Sequence, residues 1–298
     1  MITVAEAFKK FRSRLELTDR EQDDASRRHK EIRDYLKTRF DIDRDFLTGS
    51  YKRWTKTKPL KDVDVFCVLG EKERHRRTKP PADFLKAFEN ALVDKYGRDN
   101  VSCQRRSVTV DFGVKPDADE DTGGKIMSFD VVPAFAKNKH YEIPDTATSA
   151  GWTETNPEVH YELAVEAQQN YNGEWKGIVR MTKKWNAFHG KPVKPSFLIE
   201  IMALQLLHPP FGGDYCYEIK AFLASLADRI HETWDDPAKL GPPVSDSMDK
   251  AARDAARSKL LTGSDAAARA IQFGRQGKNE EALKVWRNEV FGPLFPLS

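Results

Sequence analysis

Hydrophobic positions change rhythm partway along the chain. At the start Val4, Phe8, Phe11 and Leu15 recur at helical spacing and predict an amphipathic helix. A second helix is predicted over Asp19 to Lys37, with Thr18 or Asp19 as N-cap and Ile32 and Leu36 as late apolar positions. Thr48-Gly49-Ser50 reads as a turn, and Val63 to Leu69, ending at Gly70, reads as a strand. Pro81 then opens a predicted helix over Ala82 to Tyr96, with Phe84, Phe88 and Leu92 on one face. Strands follow at Val101 to Gln104, Ser107 to Phe112 and Ile126 to Val132, with a hairpin turn over the acidic Asp117 to Gly124. Ala134 to Asn156, bracketed by Pro133 and Pro157 and containing Pro144, reads as one long loop.

From Pro157 onward the pattern is helical: 158–170, 174–189, 196–207, 217–234, 247–261, 265–276 and 279–289, then an aromatic, Pro-rich tail. No internal repeat is visible. The expected class is α+β: a mixed-sheet lobe with the N-terminal helices over 1–156, and a helical lobe over 157–298, with a cleft between them.

Composition narrows this little. Of 298 residues, 49 are basic and 46 acidic, and this balance argues against a general nucleic-acid binder. Two basic stretches stand out locally, Lys52 to Lys61 and Lys72 to Lys79. A solvated face is the ordinary meaning of such runs, but the first brackets the candidate site below. No apolar run has the length of a bilayer span or the placement of a signal-peptide core, so a cytoplasmic protein is expected. Cys67, Cys103 and Cys216 match no zinc spacing and are expected to be buried free thiols.

The chemistry is carried by carboxylates on apolar strands. Asp62 and Asp64 are two residues apart on one strand and point to the same face. Asp130 sits in Phe129-Asp130-Val131-Val132, another strand-like run, and converges with them if the strands are neighbours. Asp111, on its own alternating strand, competes with Asp130 for that place. Unpaired clustered carboxylates are costly, and a divalent cation removes the cost. Oxygen ligands suit two Mg²⁺ or Mn²⁺ ions, which stabilise the attacking and leaving oxygens of a phosphoryl transfer. Before this strand, Gly49 lets backbone approach a ligand and Ser50 offers a hydroxyl and an N–H to phosphate, best at a helix N-terminus. Lys52 or Arg53 adds charge to a triphosphate site.

Gly-Ser, a basic helix, Asp-x-Asp on a strand and a third Asp on a later strand resemble the polymerase-beta-like nucleotidyltransferases. Lys183-Lys184-Trp185-Asn186, Pro195-Ser196-Phe197-Leu198-Ile199-Glu200 and the Val285-Trp286-Arg287 to Leu297 ending narrow the resemblance to the bacterial cGAS/DncV-like nucleotidyltransferases (CD-NTases) of CBASS anti-phage systems. That resemblance implies a template-independent enzyme making a cyclic di- or trinucleotide from NTPs, ATP among them, with release of pyrophosphate. It implies that Asp62 and Asp64 hold both metals and that Asp130 holds the catalytic one. Gly49 and Ser50 would hold the donor triphosphate, Lys183 or Lys184 would reach it from the helical lobe, and Ser196 would contact the donor nucleotide. Apart from the resemblance, a monomer is the default expectation, no membrane is expected, and the lack of a zinc-ribbon cysteine set or long basic arm does not suggest a nucleic-acid activator; a downstream effector is expected to bind the product. The competing readings are a CCA-adding RNA nucleotidyltransferase, an inactive nucleotide-binding relative and a toxin-type nucleotidyltransferase. Without the resemblance, Ser196 reads as an N-cap, Lys183 and Lys184 as a solvated helix face, and Trp54, Trp175 and Trp185 as core rather than base-stacking residues. Tyr141, in the long loop, is a candidate to stack on a base, and His140 and His160 read as structural or surface groups.

Overall fold

A computed structural model describes residues 2–117, 120–149 and 151–298. The chain forms two compact units, one over 17–53 and 59–160, the other over 1–16, 54–58 and 161–298.

The first unit is built on a mixed sheet. Helix α1 (Val4–Arg14) precedes it in sequence; α2 (Asp19–Lys37), strand β1 (Ile42–Thr48), the short helix α3 (Gly49–Lys52) and β2 (Asp62–Leu69) follow. Next come 3₁₀ turns over Glu71–Thr78, α4 (Pro81–Tyr96), β3 (Val101–Cys103), β4 (Val108–Asp111), β5 (Ser128–Lys137), β6 (His140–Pro144) and β7 (Trp152–Thr155). The sheet order is β1-β2-β5-β4-β3, with β6 paired to β5 and β7 to β6. Among the described residues only β2 and β5 run parallel; the other pairs are antiparallel.

Alternation along β2 and β5 assigns the two faces. Val63, Val65, Cys67 and Leu69, with Phe129, Val131 and Phe135, pack with Ile32 and Leu36 of α2 and Phe84, Phe88 and Leu92 of α4. The intervening residues Phe66, Val68, Val132 and Ala134 form a smaller cluster with Tyr141 and Ile143. Asp62, Asp64 and Asp130 share the alternation of that second face, at the end where it turns polar.

The second unit is helical. It holds α1, most of α5 (Pro157–Asn170), α6 (Trp175–Phe188), α7 (Phe197–Leu206), α8 (Tyr215–Arg229), α9 (Lys250–Arg275) and α10 (Asn279–Val285), which runs into a π-helical turn over Trp286–Phe291. Its core includes Phe8, Phe11, Trp175, Trp185, Phe222, Trp286, Phe291 and Phe295.

Several expectations are corrected. The long loop over 134–156 is instead the end of β5 followed by the β6–β7 hairpin, and Tyr141 is buried there at 2% exposure, not presented to a ligand. Pro133 sits within β5, between the β4 pairing that ends at Val131 and the β6 pairing that begins at Phe135, so that side of the strand has no ladder to lose. Strand β1 was not anticipated. The helices expected at 247–261 and 265–276 are one helix, α9, running through Gly263. The helix expected to reach Trp234 stops at Arg229. Helix α1 groups with the helical unit rather than with 17–53, because Phe8 and Phe11 pack on Trp286, Phe291 and Phe295. Cys103 is exposed, while Cys67 and Cys216 are buried. Thr18 is the cap of α2: its Oγ1 accepts the Glu21 N–H, and the Glu21 carboxylate accepts the Thr18 N–H at 2.7 Å. Within the expected acidic turn, Ala118 and Asp119 lie outside the described residues; Asp117 donates its N–H to the Asp121 carbonyl at 2.8 Å.

Candidate active site

Strand register brings the carboxylates together. Asp64 and Asp130 are Cα partners on the adjacent parallel strands β2 and β5, and Asp62 faces Ser128 two residues along. Adjacent strands lie about 4.8 Å apart, so the Asp64 and Asp130 side chains emerge side by side. Thr48 and Thr109 extend the same row, as partners of Asp64 and Asp130. Thr109 Oγ1 donates to Asp130 Oδ1 at 2.5 Å, which fixes the plane of that carboxylate. Asp62 is exposed, and Asp64 and Asp130 are half-buried. Asp111 lies on the same face opposite Ser128, but its Oδ1 accepts the Gly113 N–H at 2.7 Å and so closes the turn that follows.

The Gly49 turn abuts this row. Gly49 has φ +64, and a Cβ built on it would lie 1.7 Å from Asp64 Oδ2. Any side chain would occupy the place of the carboxylate, so glycine is required both by conformation and by space. Gly49 begins α3, with Ser50 in its first turn. Lys52 is exposed and Arg53 is 7% exposed. Burial, with Glu21 adding to it, pushes the Tyr51 phenol up, so this neighbour of Ser50 stays neutral.

The other expected residues sit in the helical unit. Lys183 is 5% exposed and Lys184 4%, so neither belongs to a solvated helix face. Lys183 Nζ donates to Glu200 Oε1 at 2.5 Å. Ser196 occupies the N-cap position of α7 and is exposed, but its hydroxyl makes no capping bond. Trp175 and Trp185 are core residues at 2% and 0% exposure, whereas Trp54 is 44% exposed. His140 pairs with Glu154 at 2.9 Å. In the second basic stretch Arg74, Arg76 and Arg77 pair with Glu71, Glu73 and Glu142, the arrangement of a solvated, self-neutralised surface. Sequence reading missed Thr109, whose position opposite Asp130 depends on pairing, and Glu200, which it quoted only as part of a motif.

The donor set around Gly49 is carboxylate oxygen, which fits a hard divalent cation. Among the described residues no three His, Cys, Asp or Glu side chains are gathered as a closed ligand set.

Paired aspartates on adjacent parallel strands, a glycine turn pressed against Asp64 and a mixed sheet backed by helices are the features in which the chain resembles the polymerase-beta-like nucleotidyltransferases. Comparison with known proteins narrows the class. The model of the Second Messenger Oligonucleotide or Dinucleotide Synthetase domain (SMODS) matches residues 1–168, and the chain belongs to this family. The cyclic AMP-AMP-AMP synthase of Acinetobacter sp. (strain ATCC 27244 / 9458) is 26% identical, over 100% of this chain and 87% of that protein. A probable cyclic nucleotide synthase of Bacillus cereus (strain VD146) is 24% identical, over 83% of this chain and 81% of that protein. The fold is that of E. coli MS115-1 CdnC, solved with ATP: TM-score 0.72 and 18% identity, with 99% of each chain covered. The expected resemblance to bacterial CD-NTases and the α+β fold with a helical lobe are both borne out. No helix among the described residues is long and apolar enough to cross a membrane.

Proposed function

We propose that this chain joins NTPs, ATP among them, without a template into a cyclic di- or trinucleotide, releasing pyrophosphate, and that the product signals in anti-phage defence. One observation carries the reading: Asp64 and Asp130 are register partners on parallel strands, and Gly49 backs directly onto Asp64.

In this reading Asp62, Asp64 and Asp130 hold two Mg²⁺ or Mn²⁺ ions. When bound, these ions offset the charge of the triphosphate and polarise its α-phosphate. Gly49 and Ser50 offer N–H and hydroxyl donors to the donor triphosphate, with Lys52 and Arg53 adding positive charge. Asp130, its plane set by Thr109, takes the proton of the attacking ribose hydroxyl. Lys183 contacts the triphosphate and Ser196 the donor nucleotide, assignments supported by resemblance. Positioning and electrostatics then supply most of the acceleration. The enzyme acts as a cytoplasmic monomer without a nucleic-acid activator, and a downstream effector binds its product.

The test is incubation with the four radiolabelled NTPs, singly and mixed, with Mg²⁺ or Mn²⁺ and no nucleic acid, followed by phosphatase and separation of products. The expected result is a phosphatase-resistant spot whose NTP requirement names the bases. Label added only to transfer RNA would replace this reading with a CCA-adding one.

A further inference from the structure

Residues 54–58 lie in sequence between the Gly49–Ser50 turn and the Asp62–Asp64 strand, yet they group with the helical unit. Arg180 of α6 and Glu200 of α7 hold them there, and Lys183 of α6 pairs with that same Glu200. Arg180 and Lys183 are three residues apart and share a helix face. Arg180 is 6% exposed and donates to the Trp54 carbonyl at 2.7 Å and to Glu16 at 2.9 Å. Trp54 has φ +59, a conformation unusual for a bulky residue, so its backbone needs such an anchor. Thr55 is fully buried, and its Oγ1 donates to Glu200 Oε2 at 2.8 Å. The other oxygen of Glu200 accepts from Lys183. Glu200 is itself 2% exposed.

A buried Lys–Glu pair is seldom more stabilising than apolar residues of the same volume. What such a pair does well is fix position. Lysine carries a flexible four-carbon stem, and a fixed carboxylate selects one of its many arrangements. Glu200 uses its two oxygens on two different segments, so one side chain sets both the lysine and the loop.

We infer that Glu200 is the positioning residue of the donor-nucleotide site: it aims Lys183 and, through Thr55, ties the segment joining the phosphate turn to the carboxylate strand. The inference rests on the reading of Lys183 as a triphosphate contact. Nucleotide binding and the order of residues 54–58 are then coupled through one carboxylate, and the coupling is reciprocal.

The experiment is a double-mutant cycle on the full chain, with Lys183→Met, Glu200→Gln and the double variant. It reads calorimetric affinity for a non-hydrolysable ATP analogue with Mg²⁺, together with KM, kcat and thermal melting. Glutamine keeps an acceptor for Thr55 and removes the charge that holds the lysine. The expected result is that Glu200→Gln weakens analogue binding about ten-fold, mainly through KM, and costs nothing further once Lys183 is methionine. Thr55→Val should weaken binding by a smaller factor. Wild-type affinity in Glu200→Gln, or losses that simply add in the double variant, would overturn the positioning role while leaving the Lys183 assignment standing. Wild-type affinity in Lys183→Met would remove both. If Glu200→Gln does not fold, Glu200→Asp, which keeps the charge but withdraws it by one methylene, is read in the same cycle against the same criteria.

Discussion

At Gly49 a single hydrogen separates the backbone from Asp64. Gly49→Ala must displace that carboxylate and also strain a φ of +64, at a cost on the order of 1–3 kcal/mol. Turnover of labelled NTPs should fall at least ~100-fold, with a lower melting temperature. Asp64→Asn should abolish turnover and leave melting unchanged or higher, because it removes one of two like charges on neighbouring strands. A mutant that still makes product would overturn the assignment. A second carboxylate makes a prediction in pH. Burial works to raise Asp145, but Arg105 and Arg106 outweigh it and hold the carboxyl below its ordinary range. A depressed folded-state pKa stabilises above the unfolded value and loses that contribution as pH falls through the folded one. Asp145→Asn should therefore lower the melting temperature at neutral pH, and its deficit against wild type should shrink below about pH 4. Asp62, Asp64 and Gly49 were legible in the sequence because alternation and turn chemistry are local rules. The Lys183–Glu200 pair was not, because it forms between two helices whose packing no spacing rule supplies.

Individual elements show where periodicity runs out. Strand β1 escaped notice because Asp43, Arg44 and Asp45 interrupt its few apolar positions, and an edge strand needs little burial. Its neighbour β2 was clear because both faces are apolar beyond Asp64. Residues 134–156 read as loop because proline ordinarily breaks a strand, whereas Pro144 closes β6 and Pro133 falls where β5 lacks a partner on one side. The expected helices 247–261 and 265–276 left out residues 262–264, but α9 runs through them and Gly263 is a packing glycine: a Cβ there would lie 2.5 Å from Nε1 of the buried Trp185. Gly274, in the same helix, has no atom within 4 Å of its would-be Cβ. Gly274→Ala should stabilise by about 0.5–1 kcal/mol, while Gly263→Ala should destabilise despite the same gain in helix propensity. Denaturant titration of the two variants separates these signs.

For the whole molecule, the expected division into a mixed-sheet half and a helical half captured the two kinds of structure but not the path of the chain between them. Helix α1 and residues 54–58 belong with the helices, and neither placement follows from hydrophobic rhythm, since an amphipathic helix does not state which core it joins. Phe11 packs on Phe291 at 4.6 Å and Phe295 at 5.2 Å between ring centroids. Phe11→Ala should cost about 3–5 kcal/mol, read by thermal or denaturant unfolding, although the residue is remote in sequence from every helix it supports.

The β2–β5 register also decides how activity can fail. Asp130 faces Asp64; a slip of one residue would put Phe129 or Val131 there, and a slip of two would put Ser128 or Val132. No alignment within two residues restores a carboxylate opposite Asp64, although the slip that brings Val132 there sets Asp130 beside Asp62. A misaligned sheet therefore loses the Asp64–Asp130 pair outright, and the specific activity of a refolded sample is expected to count the molecules whose strands found that alignment.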